Sequence, residues 1–436
     1  MNQRGERTWT GLAVAGVILA CACAAIGIVG VGWLAPQVNR PPQRTSAAGG
    51  RIAYVGGDGH IYTIAPDGSN EHQVTRDRLA DTSRYNALAW SLDGQLAFVS
   101  FSDAGSALFT SRPDGSDRTL VFSGEADAAP FYLYWSPDSQ RIAFLAPSLS
   151  DRLTVWMAAS HDSGSSQIIA RGSPSYFSWA PDGQSILMHI GGERMAVFRP
   201  DQSELTDLPD EPGGFQSPAW SPDGRRFLFV RQADNRTQEL VLAEGDERRA
   251  LASSRAGLAF AWSPRGDRIA FSIPDPADPL LYGSVVVIDP ESKERRVAAQ
   301  GQILAFFWSP DGKRLAVLNL DTSKPSPQGR AIPAQAQAAP APQSANVRLA
   351  WSVVNVADSA FVDFPPFYPT DPFLLLVPYF DQYAQSLSLW SPDGRSLVYA
   401  DVDERGESSI RVLDTQQPQQ PARRLSDGTF AAWSWH

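Results

Sequence analysis

Short apolar runs alternate with polar turns along most of the chain, and one kind of punctuation keeps returning. An apolar run ends at Trp90, Trp135, Trp179, Trp220, Trp262, Trp308 and Trp390. Each Trp opens a tight turn of the Ser-Pro-Asp-Gly kind, as in Trp220-Ser-Pro-Asp-Gly, and a second apolar run follows, as in Phe227-Leu-Phe. Pro presets φ at the second turn position, Asp tolerates the third, and Gly takes the left-handed position after it. Two strands joined this way make a hairpin, and the Trp supplies a large apolar face for packing.

Two further strand-like runs follow in each unit. After Trp90 they are Leu108–Ser111 and Arg118–Phe122, split by Pro113-Asp114-Gly115; after Trp220 they are Glu239–Ala243 and Arg248–Leu251. Four short strands in a unit of this length predict a β-propeller blade, with a parallel solenoid as the second choice.

The two ends complete each other. Arg51-Ile-Ala-Tyr-Val reads as a second strand with no Trp turn before it, while Phe430-Ala-Ala-Trp433 reads as a first strand with nothing after it. Pairing them closes the ring and removes the open edge. With Trp433 as the last repeat, the expectation is an all-β closed propeller of eight four-stranded blades over residues 51–436. The long step from Trp308 to Trp390 is assigned two insertions. Residues 322–343 are Pro/Ala/Gln-rich and read as structureless; 364–383 are apolar, aromatic and Pro-broken. Arg348–Ala357 and Ser359–Asp363 then supply the third and fourth strands of the blade opened at Trp308.

The Trp-Ser-Pro-Asp-Gly turn, together with Ile61-Tyr-Thr-Ile-Ala-Pro-Asp-Gly-Ser, resembles the repeats of TolB-type, WD-like β-propellers. The resemblance covers roughly residues 50–436. It implies periplasmic or surface binding modules with protein partners. The name-giving member carries six blades behind a small α/β domain; this chain has more repeats, and an apolar segment stands where that domain would be.

That apolar segment changes the picture of the N-terminus. No charged residue occurs from Thr8 to Asn39, and Gly11–Ala35 is apolar apart from glycines. The segment is long enough to span a bilayer as a helix, and Trp9 and Trp33 flank it as interfacial aromatics. Residues 1–9 are read as a short cytoplasmic N-terminus, 10–35 as a transmembrane signal anchor and 36–50 as a flexible linker. Arg4 and Arg7 before the span place the bulk of the chain outside the cytoplasmic membrane. A lipoprotein signal at Cys21 and a cleaved signal peptide are the alternatives; the apolar run continues past Cys21 to Leu34 and suits them less.

Charge and cysteine narrow the function. The net charge is −10, and because Arg4, Arg7, Arg40 and Arg44 face only Glu6 before position 45, the remainder is more acidic still. Such a surface argues against nucleic acid as a partner. Cys21 and Cys23 are the only cysteines, so the propeller has no disulfide framework and no Cys-based zinc site. No nucleophile elbow, P-loop, dinucleotide-binding glycine motif, His-Glu-x-x-His or EF-hand occurs. The aspartates Asp138, Asp182, Asp223, Asp311 and Asp393 are read as turn formers. His60, His72, His161, His189 and His436 lack metal-ligand spacing, and His189 reads as a hydrogen-bonded core residue. No cofactor or metal is expected.

Function is therefore sought in what departs from the repeat. Phe364, Phe367, Tyr368, Phe373, Tyr379 and Phe380 form the aromatic part of the second insertion. They read either as a docking lid or membrane-dipping loop, or as a cover that completes the core at one mouth of the ring. Tyr85, Phe131, Tyr132, Tyr176 and Phe215 open first strands near the channel mouth, where propeller ligands are expected. The leading expectation is a non-enzymatic, membrane-anchored, extracytoplasmic protein-binding or scaffold module. A carboxylate-dependent glycan hydrolase or lyase, or a small-ligand sensor domain, are the alternatives.

Overall fold

The computed structural model describes residues 50–79, 83–125, 128–148, 152–214, 216–275, 281–323 and 347–436. The expected anchor at 10–35, the linker before Gly50 and nearly all of the 322–343 insertion lie outside these residues, as does Phe215. Among the described residues no helix is long and apolar enough to cross a membrane.

The described chain is built of antiparallel sheets, most of them four-stranded, in a propeller-like arrangement. The sheet Arg84–Trp90, Leu96–Ser102, Gly105–Ser111 and Thr119–Gly124 shows the plan: four strands in chain order, each paired with the next. Its inner strands Leu96–Ser102 and Gly105–Ser111 bury Leu96, Phe98, Val99 and Leu108 completely. Burial on both faces explains why these strands read as continuous apolar runs rather than as alternation. The Trp turns behave as their chemistry predicts. In one, Ser221 Oγ donates to Asp223 Oδ1 at 2.5 Å and Arg225 N–H donates to the same oxygen at 3.1 Å, with Gly224 at φ +69°. The aspartates are thereby occupied with the turn.

The first and last described strands pair as the end fragments predict. Ile52–Val55 lies between Ile61–Ile64 on one side and Phe430–Trp433 on the other, with Ile52 opposite Trp433 and Val55 opposite Phe430. The remaining pairings depart from eight equal units in two places. Seven strands from Phe260 to Asp363 form one sheet, because the 14-residue strand Arg295–Trp308 serves two partners. Its first half pairs with Tyr282–Ile288 and its second with Arg314–Leu320. Gly301 sits between the halves at φ +143°, a backbone state open to glycine, and lets the strand turn from one partner to the other. The other departure is a three-stranded sheet, Ser396–Val402, Ser408–Asp414 and Arg423–Asp427. Its expected first strand is reduced to the bridges Ser388–Trp433 and Trp390–Leu397.

Successive repeat units are joined by the tryptophans. The indole Nε1 of Trp135 donates to the carbonyl of Ala89, that of Trp179 to Tyr134, Trp262 to Ala219, Trp308 to Ala261 and Trp390 to Phe307, at 3.1–3.2 Å. In every case the acceptor is the residue just before the Trp of the preceding unit. Trp90 continues the rule across the termini by donating to Ala432. The repeat is thus a hydrogen-bonded chain of apolar side chains as well as a turn signal.

Candidate functional site

The clearest break in the repeat is the second insertion. It was expected as an irregular loop, and instead it forms two short helices: α1, Asp371–Leu376, and α2, Phe380–Ser386, linked by the single turn Val377–Tyr379. Prolines do not prevent this because they sit where helices tolerate them. Pro372 occupies the first turn of α1, whose N-cap is Thr370, and Pro378 opens the linking turn.

The approach to α1 is tied down by backbone pairing. Phe367 and Leu349 exchange two hydrogen bonds at 2.8 and 2.9 Å, and Val402 N–H donates to the Tyr368 carbonyl. The Thr370 hydroxyl donates to the Thr429 carbonyl at 2.6 Å. Phe364, Phe367, Phe373 and Phe380 then turn inward and join the largest hydrophobic core. Phe373 meets Trp351 edge-on, Phe367 packs 4.4 Å from Tyr399, and Phe380 meets Phe306 edge-on at 4.9 Å. These four phenylalanines are packing residues, as in the reading in which the insertion covers a mouth. Tyr368 and Tyr379 are half-buried, and Leu375 stands out at 52% exposure.

Helix α2 lies against the first strands of different sheets: Tyr132–Trp135, Ser175–Trp179 and the second half of Arg295–Trp308. Tyr383 Oη donates to the Phe131 carbonyl, and Tyr132 Oη donates to the Gln382 carbonyl at 3.0 Å. Gln385 Nε2 bonds Ser217 Oγ and the Pro218 carbonyl, both at 3.1 Å. Phe131, Ser217 and Pro218 all precede first strands. The helices therefore form a cap at the end where first strands begin, and the Trp turns lie at the other end of those strands.

Two of the aromatic residues expected near a mouth come together with this cap. Tyr132 meets Tyr383 edge-on at 5.1 Å, and Tyr176 lies close enough to feel the charge of Asp381. Tyr85 does not join them. It belongs to a separate cluster in which Arg118 Nη2 donates to Tyr85 Oη at 2.8 Å and lies 3.9 Å over the Phe109 ring. Its own hydroxyl is held by Asp77.

The centre of the cap is Asp381, which the repeat-based reading did not single out. It is buried on α2 and takes only backbone donors: Gln382 N–H at 2.9 Å and Ser217 N–H at 3.4 Å. Burial pushes its carboxyl up to about 7, and those backbone donors offset the effect only in part. The sequence did hold a signal, since Asp381 is the single charged residue between Pro372 and Pro392. Nearby, His189 is buried beside Tyr176, with Nδ1 3.1 Å from the Gln216 carbonyl. Burial holds the imidazole below its ordinary value, so it is neutral, and Nδ1 carries the proton because a carbonyl can only accept. His189 thus sits in the core as a hydrogen-bonded residue. Among the described residues no group of three or more His, Cys, Asp or Glu side chains converges as metal ligands do. A separate groove of about 370 Å³ on the flank is lined by Ser253, Leu258, Phe271, Ile273, Arg295 and Val297, among others, and none of the expected contact residues reaches it.

No family model and no curated protein matches the sequence. Solved structures do match its shape. The chain is similar to dihydro-heme d1 dehydrogenase NirN in complex with DHE, at 14% identity and a TM-score of 0.55, covering 91% of this chain and 78% of that one. It is similar to a eukaryotic initiation factor at 10% identity and a TM-score of 0.51, over 89% and 98%. TolB from Acinetobacter baumannii is matched at 17% identity with a TM-score of 0.36, over 58% of this chain and 65% of that one, so the chain spans about two thirds of that protein's length. For the first two the likeness is one of fold, and the four-stranded antiparallel sheets are consistent with a propeller-like fold.

Proposed function

We propose that the chain is a TolB-type binding or scaffold module: a closed ring of eight blades whose helical cap is offered to a protein partner. The reading of eight blades rests on the eight Trp repeats, on the long strand shared by two units, and on the pairing of Ile52–Val55 with Phe430–Trp433. The docking face is the outer side of the cap. The observation that carries it is Leu375, an apolar side chain 52% exposed on a helix that buries Phe373 and Leu376, together with Phe131, 40% exposed, whose carbonyl holds Tyr383 of the cap. A rigid element that leaves such residues in solvent is suited to recognition. In this reading residues 10–35 hold the module at the outer face of the cytoplasmic membrane, and the module has no catalytic role.

The aromatic insertion is part of the core, so deleting it would test folding rather than docking. The better test places a photocrosslinking residue at position 375 and, as a control, at the exposed Arg395 beside a Trp turn. Crosslinking in intact membranes is expected to give a discrete adduct from position 375, none from position 395, and loss of the adduct when Phe131→Glu is added. Equal labelling from both positions, or none from position 375, would sink the assignment.

A further inference from the structure

Asp381 poses a problem of buried charge. A carboxylate removed from water is costly unless a cation or a full set of donors compensates it. Among the described residues no cationic side chain acts on Asp381; its compensation is the backbone N–H groups of Ser217, Gln382 and Asp381 itself. The titratable groups that face it are tyrosines. Tyr132 comes from the strand Tyr132–Trp135, Tyr176 from Ser175–Trp179 and Tyr282 from Tyr282–Ile288, and beside these three stand Tyr134, Tyr379 and Tyr383. Burial keeps Tyr132, Tyr176, Tyr282 and Tyr383 protonated, so none of them neutralises a carboxylate. His189 is neutral and bonded to Gln216. The strand half Ile303–Trp308 brings only apolar side chains.

Seating α2 therefore favours the proton-bound carboxyl, and releasing α2 into water favours the anion. We propose that the cap is a proton-sensitive closure in which protonated Asp381 holds α2 against the first strands and loss of the proton loosens it. The bonds at stake are few and local: Gln385 to Ser217 and Pro218, Tyr132 to Gln382, and Tyr383 to Phe131. The loosened state exposes Phe380 and the aromatic residues it covers, so proton concentration sets how much apolar surface this end of the fold presents. The inference depends on burial and partners alone and stands whether or not the outer face of the cap docks a partner.

Linkage sets the size of the effect. The folded carboxyl titrates near 7 and the released one near its ordinary 3.8, so opening releases a proton between those values and is favoured as pH rises. Above about 7 both states are ionised and the effect levels off. Hydrogen exchange of the 371–390 backbone, followed by mass spectrometry on the full chain and corrected for intrinsic rates, is the test. From about pH 5.5 to about pH 8.5 the corrected exchange is expected to rise roughly thirtyfold. The buried strand Ile186–Ile190 is expected to stay unchanged over the same range. Asp381→Asn, which keeps the shape and cannot ionise, is expected to remove the pH dependence and leave the cap protected throughout. Corrected exchange of the wild-type cap that is independent of pH would overturn the proposal, with no variant needed. So would an Asn variant that follows the wild-type profile.

Discussion

The indole Nε1 of Trp90 donates to the carbonyl oxygen of Ala432 at 3.2 Å, across 342 positions of sequence. This is the same bond that joins Trp135 to Ala89 and Trp308 to Ala261, so the join between the ends is built as those joins are. Trp220 and Trp433 are different: their indole nitrogens are buried without a partner. The contrast gives a test within one protein. Trp90→Phe and Trp135→Phe each remove one indole hydrogen bond to a buried carbonyl that also sits in a strand ladder, and are expected to cost about 1 kcal/mol beyond the packing loss. Trp220→Phe loses packing alone. Urea denaturation of the three variants measures the difference; equal losses would show that the indole bonds add nothing.

Arg118 tests stacking against charge. Its guanidinium lies over the Phe109, Tyr85 and Phe98 rings and also bonds Asp77. Arg118→Lys keeps the charge and loses the planar stack, so it is expected to cost nearly as much as Arg118→Ala, on the order of 1 kcal/mol. A Lys variant with wild-type stability would mean that the charge alone matters.

Acid and base act on the fold with opposite signs. The Ser69 hydroxyl and backbone hold the Asp67 carboxyl below its ordinary value, and Ser116 does the same for Asp114. Their stabilising share is present above pH 3.8 and is lost as pH falls through their lowered values. Asp381 runs the other way: its share is whole below 3.8 and is lost as pH rises toward about 7. Stability is therefore expected to peak in mild acid. Denaturation midpoints across pH would show it, with Asp381→Asn flattening only the upper slope.

The C-terminal strand is expected to be indispensable. Phe430–Trp433 pairs with Ile52–Val55, and the Arg51 N–H donates to Ser434 Oγ at 2.8 Å. Removing residues 428–436 strips one side of the strand Ile52–Val55 and exposes a flat apolar edge. The truncated chain is expected to aggregate on expression, assayed by size-exclusion chromatography; a soluble monomer would contradict it.

The parts of the fold legible in the sequence were those repeated with the same chemistry. Trp turns, strand pairs and the complementarity of Arg51-Ile-Ala-Tyr-Val with Phe430-Ala-Ala-Trp433 were visible because one residue type did one job many times. The four-strand unit failed where geometry bends without a composition change. Gly301 lets one strand serve two partners, and a single Gly within an apolar run gives little warning of that. The cap was located as an insertion and read as a loop. The prolines from Pro365 to Pro378 signalled a loop, while Pro372 and Pro378 in fact open helical turns. Its phenylalanines read equally as docking or as core residues because sequence cannot say which side of a helix faces inward. Tyr132 and Tyr176, expected near a mouth, lie against this cap, while Asp381 beside them carried only the faint signal of being a lone charge in an apolar stretch.

The pairing of Ile52–Val55 with Phe430–Trp433 also sets a clock. At ordinary rates of synthesis, roughly 5–20 residues per second, the strand Ile52–Val55 waits on the order of tens of seconds for its partner to be made. For that interval its apolar edge has no native neighbour, and contacts this distant in sequence are slow to form. A nascent chain of this design is most vulnerable at the strand Ile52–Val55 and is made safe only once Phe430–Trp433 has been made.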